Sequence, residues 1–160
     1  MNIRRAQDRD LDTIIALLHQ VCDIHADIRP DIFIHGGTKY SKDDLREIIV
    51  DNDRPIFVAV DDSEKVLGYC FCQYKETAGS RCIKPFSEIY IDDLCVDESA
   101  RGQHVGQKLF EFVKEEAKRR GCYEVTLNVW EGNDSARAFY EKLGMKPKET
   151  NMEIVVNPHL

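Results

Sequence analysis

Arg101-Gly102-Gln103-His104-Val105-Gly106 runs without a break into Gln107-Lys108-Leu109-Phe110, and the reading of this stretch decides the fold. It is a glycine-bearing turn that opens a helix. The first amides of a helix have no partner inside it, and the helix dipole adds positive charge at that end. Such a turn suits a phosphate or a pyrophosphate, so a phosphorylated cofactor is the first expectation. The wider window from Glu88 to Met145 reads as strand, turn, amphipathic helix, strand, and a second helix carrying Asn133 and Tyr140.

Working outward, Phe86 to Val96 is an extended run, interrupted by Asp92-Asp93. Paired acids inside a strand point to a bulge or a functional opening. After the turn, Val105, Leu109, Phe112, Val113 and Ala117 give a helix over Val105 to Arg120 its core face, and Gly121 suits its stop. Glu124 to Trp130 is a strand. Asn133 or Asp134 caps a helix that reaches Leu143 and closes at Gly144. Toward the N-terminus, Asn2 to Arg5 is a short strand. Leu11, Ile14, Ile15, Leu18, Val21 and Cys22 recur at helical spacing, in a helix that starts near Asp8 and fades by Arg29-Pro30. Asp31 to Tyr40 is loop, and Ser41 caps a short helix with Leu45, Ile48 and Ile49 inside. Pro55 to Val60 and Val66 to Tyr74 form a hairpin around Asp61 to Lys65. A last extended pair is expected around Pro147 and over Met152 to Val156. The order β-α-α-β-β-β-α-β-α-β-β describes one mixed α/β domain over residues 1–160.

Composition narrows the function. With 42% hydrophobic and 32% charged residues, the chain is globular rather than disordered. A net charge of −7 argues against a nucleic-acid partner. No apolar run is long enough to span a bilayer, and Met1-Asn2-Ile3-Arg4-Arg5 is not followed by a secretory apolar segment. A cytoplasmic protein without a membrane partner is expected. The six cysteines lack zinc spacing, so they read as small reduced hydrophobes and no metal is expected. No phosphate loop of the Gly-Lys-Ser/Thr type and no Gly-x-Gly-x-x-Gly is present.

The C-terminal half, roughly residues 86 to 150, resembles the GCN5-related N-acetyltransferase superfamily. The family's cofactor motif is Gln/Arg-x-x-Gly-x-Gly/Ala. Here Arg101 and Gly106 match it, and His104 stands where the first Gly is usual. Asn133-Asp134-Ser135-Ala136-Arg137-Ala138-Phe139-Tyr140-Glu141-Lys142-Leu143-Gly144-Met145 is similar to the family's Asn-x-x-Ala-x-x-x-Tyr-x-x-x-Gly-Phe, with Met145 in place of Phe. Tyr90-Ile91-Asp92-Asp93-Leu94-Cys95-Val96 looks like its splayed fourth strand. The resemblance implies an α+β single-domain fold with a mixed, mostly antiparallel central sheet flanked by about four helices. It also implies acetyl-CoA as cofactor, a small-molecule or peptide primary amine as acceptor, and the homodimers common in the superfamily.

Carried over residue by residue, the resemblance implies a site. Amides from Gln103 to Gln107, within the Arg101–Gly106 turn that includes Gly102, His104 and Val105, would hold the pyrophosphate. Leu94, Cys95 and Val96 would pair with the pantetheine arm, the Leu94 amide polarising the thioester carbonyl. Asn133 and Asn128 would contact the same arm. Tyr140 would protonate the departing thiolate, since a phenol pKa of about 10 lies close to a thiol's of about 8.5. A lysine-like amine costs roughly 4.6 kcal/mol to hold neutral at pH 7, so a base is wanted. Asp92 or Glu88 is the candidate. Alternation on a regular strand turns only one of Asp92 and Asp93 to the cleft, and Asp92 is preferred, with Asp93 a substrate contact. His25, Arg29 and Phe33 lie where the superfamily builds its acceptor pocket, and Arg29 could meet an acceptor carboxylate. Three rivals remain open: a non-catalytic acyl-CoA sensor, a ping-pong route through Cys95, and a nucleotide-dependent transferase.

Overall fold

The computed structural model describes residues 1–158. Its strands are β1 (Asn2–Arg5), β2 (Ile56–Val60), β3 (Val66–Thr77), β4 (Phe86–Val96) and β5 (Glu124–Leu127). Its helices are α1 (Leu11–Ile28), α2 (Lys42–Ile49), α3 (Val105–Arg119) and α4 (Asp134–Lys142). The strands form one sheet in sequence order, antiparallel from β1 to β4, with β5 parallel to β4.

Period-two alternation sorts β2 onto two cores. Ile56, Val58 and Val60 join Leu11, Ile14, Leu18 and Leu45 beneath α1 and α2. Phe57 and Ala59 face the other way, toward Val105, Leu109, Phe110 and Val113 of α3. Capping signals act where they stand. Ser41 Oγ accepts from the Asp44 amide at 3.1 Å, and Asp44 Oδ2 accepts from the Ser41 amide at 2.7 Å.

Two features of β4 position the site. First, its pairing with β5 runs from Glu88↔Glu124 to Ile91↔Leu127 and stops, so the strands part from Asp92 onward. Second, the β3 register steps from Phe71↔Asp93 to Cys72↔Ile91, which leaves Asp92 as an extra, bulged residue. The bulge overturns the alternation expected at the paired acids. Asp92 meets Tyr40, which packs on the α1–α2 core, and Asp93 meets Tyr69, which belongs to that same core. Both carboxylates therefore lie on one side of the sheet.

The last extended pair is a further correction. Residues 146–158 form no strand. Met152, Ile154 and Val156 alternate as a strand would, yet are 84%, 86% and 88% exposed. Alternation sets side-chain direction but supplies no partner, and β5 pairs only with β4 among the described residues. The tail is tied instead by ion pairs, Glu153 with Arg29 and Lys148 with Glu124. No helix among the described residues is long and apolar enough to cross a membrane.

Candidate active site

The turn before α3 is built to leave amides free. Gly102 and His104 take positive φ, 79° and 59°, and so fold the chain back on itself. The amides of Gly102, His104, Val105, Gly106 and Gln107 have no hydrogen-bond acceptor among the described residues. Gln103 differs from expectation, because its amide is turned to Ala100 O at 3.4 Å. Nothing lies within 4 Å of the point where a Cβ on Gly102 would sit, so the space over the turn is open. Five unpaired donors at a helix N-terminus suit a diphosphate. Gly106 serves another purpose. A Cβ there would meet the Phe139 ring at 3.2 Å and Val96 Cγ2 at 3.4 Å, so this glycine lets α3 lie close to α4 and β4.

Asn133 caps α4, its Oδ1 accepting from the Ala136 amide at 3.3 Å. The helix then presents Tyr140, whose ring packs on Phe139 and Phe110 with centroids at 5.0 and 6.2 Å. The Tyr140 hydroxyl makes no hydrogen bond among the described residues, and it is not sealed from solvent. It lines a cleft of about 1480 Å³ shared with Glu88, Asp92, Asn128, Asn133 and Arg29. Burial, with Cys70, Asp93 and Cys95 nearby, pushes the phenol pKa up, so it keeps its proton at neutral pH.

The three acids of β4 have different surroundings. Glu88 accepts from Thr126 Oγ1 at 3.2 Å. Asp92 accepts from Tyr40 Oη at 2.9 Å and pairs with Lys39 Nζ at 2.8 Å. Asp93 accepts from Tyr69 Oη at 2.9 Å. Burial pushes the Asp93 pKa up to about 6, against the Tyr69 hydrogen bond and the nearby Lys39 ammonium, which pull it down. The Leu94 amide also lies close enough to stabilise this carboxylate. Asp93 therefore holds a proton more readily than an ordinary carboxylate, and its ionisation opposes folding. Between pH 4 and 6 the folded chain holds a proton that the unfolded chain releases, so stability falls as pH rises through that window. Asp93→Asn is expected to be more stable than the parent at pH 8, by at most roughly 3 kcal/mol, with the gap closing near pH 4. Urea unfolding at both pH values checks this; a parent more stable than the variant at pH 8 would refute it.

Cys95 is buried in the α1–α2 core, where Gln20 Nε2 lies 3.5 Å from its sulfur. Burial pushes its thiol up to about 12, which leaves almost no thiolate at neutral pH. Leu94 and Val96 pack toward α3 instead, and the Val96 carbonyl accepts from Gln20 Nε2 at 3.3 Å.

On the acceptor side, His25, Phe33 and Trp130 form an aromatic chain with centroids at 5.0 and 5.3 Å. Burial lowers the His25 pKa, with the Lys39 charge assisting. Arg29 is occupied: it pairs with Asp31 and with Glu153, both at 2.7 Å. Trp130, Tyr40, Lys39 and Tyr69 went unnoticed in the sequence. A signal existed for Tyr69, because a tyrosine in an otherwise apolar strand needs a partner for its hydroxyl.

A parallel β4–β5 pair that splays beside an open amide-lined turn defines the N-acetyltransferase class of fold. The sequence profile described as the acetyltransferase (GNAT) family matches residues 18–145, and the chain belongs to that family. Glucosamine 6-phosphate N-acetyltransferase of Arabidopsis thaliana is 40% identical over 63 residues, which span 39% of this chain and 40% of that protein. Peptidyl-lysine N-acetyltransferase YjaB of Salmonella typhimurium is 26% identical over 148 residues, 91% of this chain and 83% of the other. Among solved structures, a mutant of the BH1408 protein from Bacillus halodurans superposes with a TM-score of 0.93 at 30% identity, covering 98% of this chain and all of that one.

Proposed function

We propose that this protein is an acetyl-CoA-dependent N-acetyltransferase that acts by direct transfer on a primary amine of a small molecule or peptide. The observation that carries the reading is the hydroxyl of Tyr140, without a partner among the described residues, on the same cleft as Asp92 and Glu88. When bound, acetyl-CoA supplies the thioester whose acetyl group passes to the amine. The amides of Gly102 and of His104 to Gln107 would hold its diphosphate, with Arg101 adding charge. Asn133 and Asn128 would steady the arm between that turn and Tyr140. Tyr140 Oη holds a proton for the leaving sulfur; burial raises the basicity of phenolate and thiolate alike, so the transfer stays close to balanced. Asp92 or Glu88 would take the proton that the amine loses. Burial and a raised pKa in Cys95 weigh against a covalent route.

The test is calorimetry with acetyl-CoA and with ATP, followed by thiol release over a panel of primary amines. Binding of acetyl-CoA but not ATP, with amine-dependent thiol release, is expected. Tight cofactor binding without turnover on any amine would favour the sensor reading, and preferential binding of ATP would defeat both. The outer edge of β5, unpaired among the described residues, and the exposed apolar residues of the tail support a homodimer, which sedimentation would detect.

A further inference from the structure

Lys39 makes an uneven ion pair with Asp92. The carboxylate belongs to the β4 bulge, is held by Tyr40 Oη at 2.9 Å, and has a side chain only 12% exposed. The lysine reaches in from the loop between α1 and α2, with a side chain 45% exposed. Its Nζ lies 2.8 Å from Asp92 Oδ2, 3.5 Å from the Asp92 carbonyl oxygen, and 5.7 Å from the centroid of the Tyr40 ring. Carboxylate, carbonyl and aromatic face together are what an alkylammonium group needs. The place is also the right one, since Asp92 is the first residue of β4 beyond its pairing with β5, and it lines the cleft that holds Tyr140.

We propose that Lys39 occupies the seat of the acceptor's ammonium group, so that the acceptor is an alkylammonium such as a lysine side chain or a diamine, and Lys39 sets its affinity by competing for Asp92. This rests on the N-acetyltransferase reading and narrows it. Carboxylate and tyrosine are fixed by the strand and by stacking of Tyr40 on Phe71 at 5.5 Å, whereas a half-exposed lysine can swing out to solvent. An incoming ammonium then takes over the same contacts. Two cations that line the same cleft are engaged elsewhere: Arg29 is held by two carboxylates, and Lys75 Nζ rests 3.8 Å from the centroid of the Tyr90 ring.

The test is titration of 1,5-diaminopentane into the full chain with coenzyme A present. Lys39→Met removes the internal competitor and is expected to bind the diamine about fivefold tighter or better, the worth of an exposed ion pair. Lys39→Arg restores the competing charge and should bind it as the parent does. Glucosamine 6-phosphate should gain nothing from the Met substitution. Unchanged or weaker diamine binding by Lys39→Met overturns the proposal, as does a parent that binds glucosamine 6-phosphate more tightly than the diamine. Because this readout is diamine binding, it is separate from the enzyme reading, which falls if no amine yields free thiol from acetyl-CoA or if ATP is bound in preference.

Discussion

Tyr140→Phe is expected to lower kcat about a hundredfold or more, while affinity for acetyl-CoA stays within about threefold. The substitution isolates one atom. Phenylalanine keeps the ring on Phe139 and Phe110, so α4 stays where it is. The hydroxyl has no hydrogen bond among the described residues to lose. Stability should therefore change by less than about 0.5 kcal/mol, and a fall in turnover reports the proton alone. Single-turnover thiol release beside calorimetric cofactor binding separates the two quantities. Acyl donors with more acidic leaving thiols, supplied as aryl thioesters, should recover part of the rate, because such thiolates need no proton. A Phe variant as fast as the parent would remove Tyr140 from the chemistry.

Gly106→Val is expected to cost about 1–3 kcal/mol of stability and to cut kcat/KM about a hundredfold. Gly106 is the second residue of α3 and is buried. Its missing side chain is filled by the Phe139 ring on one side and Val96 on the other. A branched side chain there must push α3 away from α4 and β4, and α4 carries Tyr140 one residue after Phe139. Misplacement by even 1 Å of a catalytic group costs roughly a hundredfold in rate. Gly102→Ala is the contrasting variant. Its Cβ meets open space, so the cost is the roughly 1 kcal/mol of an L-residue at positive φ, with α4 undisturbed. Thermal unfolding and steady-state kinetics on both variants check the difference. A Gly106→Val protein with parental melting and turnover would show that α3, α4 and β4 are not coupled in this way.

The legible parts of the molecule were those that local chemistry governs. Ser41 and Asn133 were readable as caps because a short acceptor side chain satisfies nearby amides with no help from the rest of the fold. The bulge was foreshadowed by two acids in a strand, but its direction was not. One extra residue turned both carboxylates to the same side, and only the β3 register reveals that. The partners of those acids, Tyr40, Lys39 and Tyr69, lie 52, 53 and 24 positions away along the chain, beyond any local pattern. Arg29 read as a contact for an acceptor carboxylate, while its pairing with a carboxylate of the chain itself depends on Glu153, 124 positions distant. The tail read as strand because alternation is a property of sequence, whereas pairing belongs to whatever edge lies beside it.

By itself, the sequence determined the periodicities, the caps, the turn of Gly102 and His104, and the family that these motifs mark, since each depends on neighbours a few residues apart. The tertiary structure alone decided which carboxylate is most desolvated, which is paired with lysine, and which hydroxyl is left without a partner among the described residues beside the splayed strands. Burial and ion pairing depend on groups brought together from distant parts of the chain, and those same distances set the proton affinities on which the chemistry would turn.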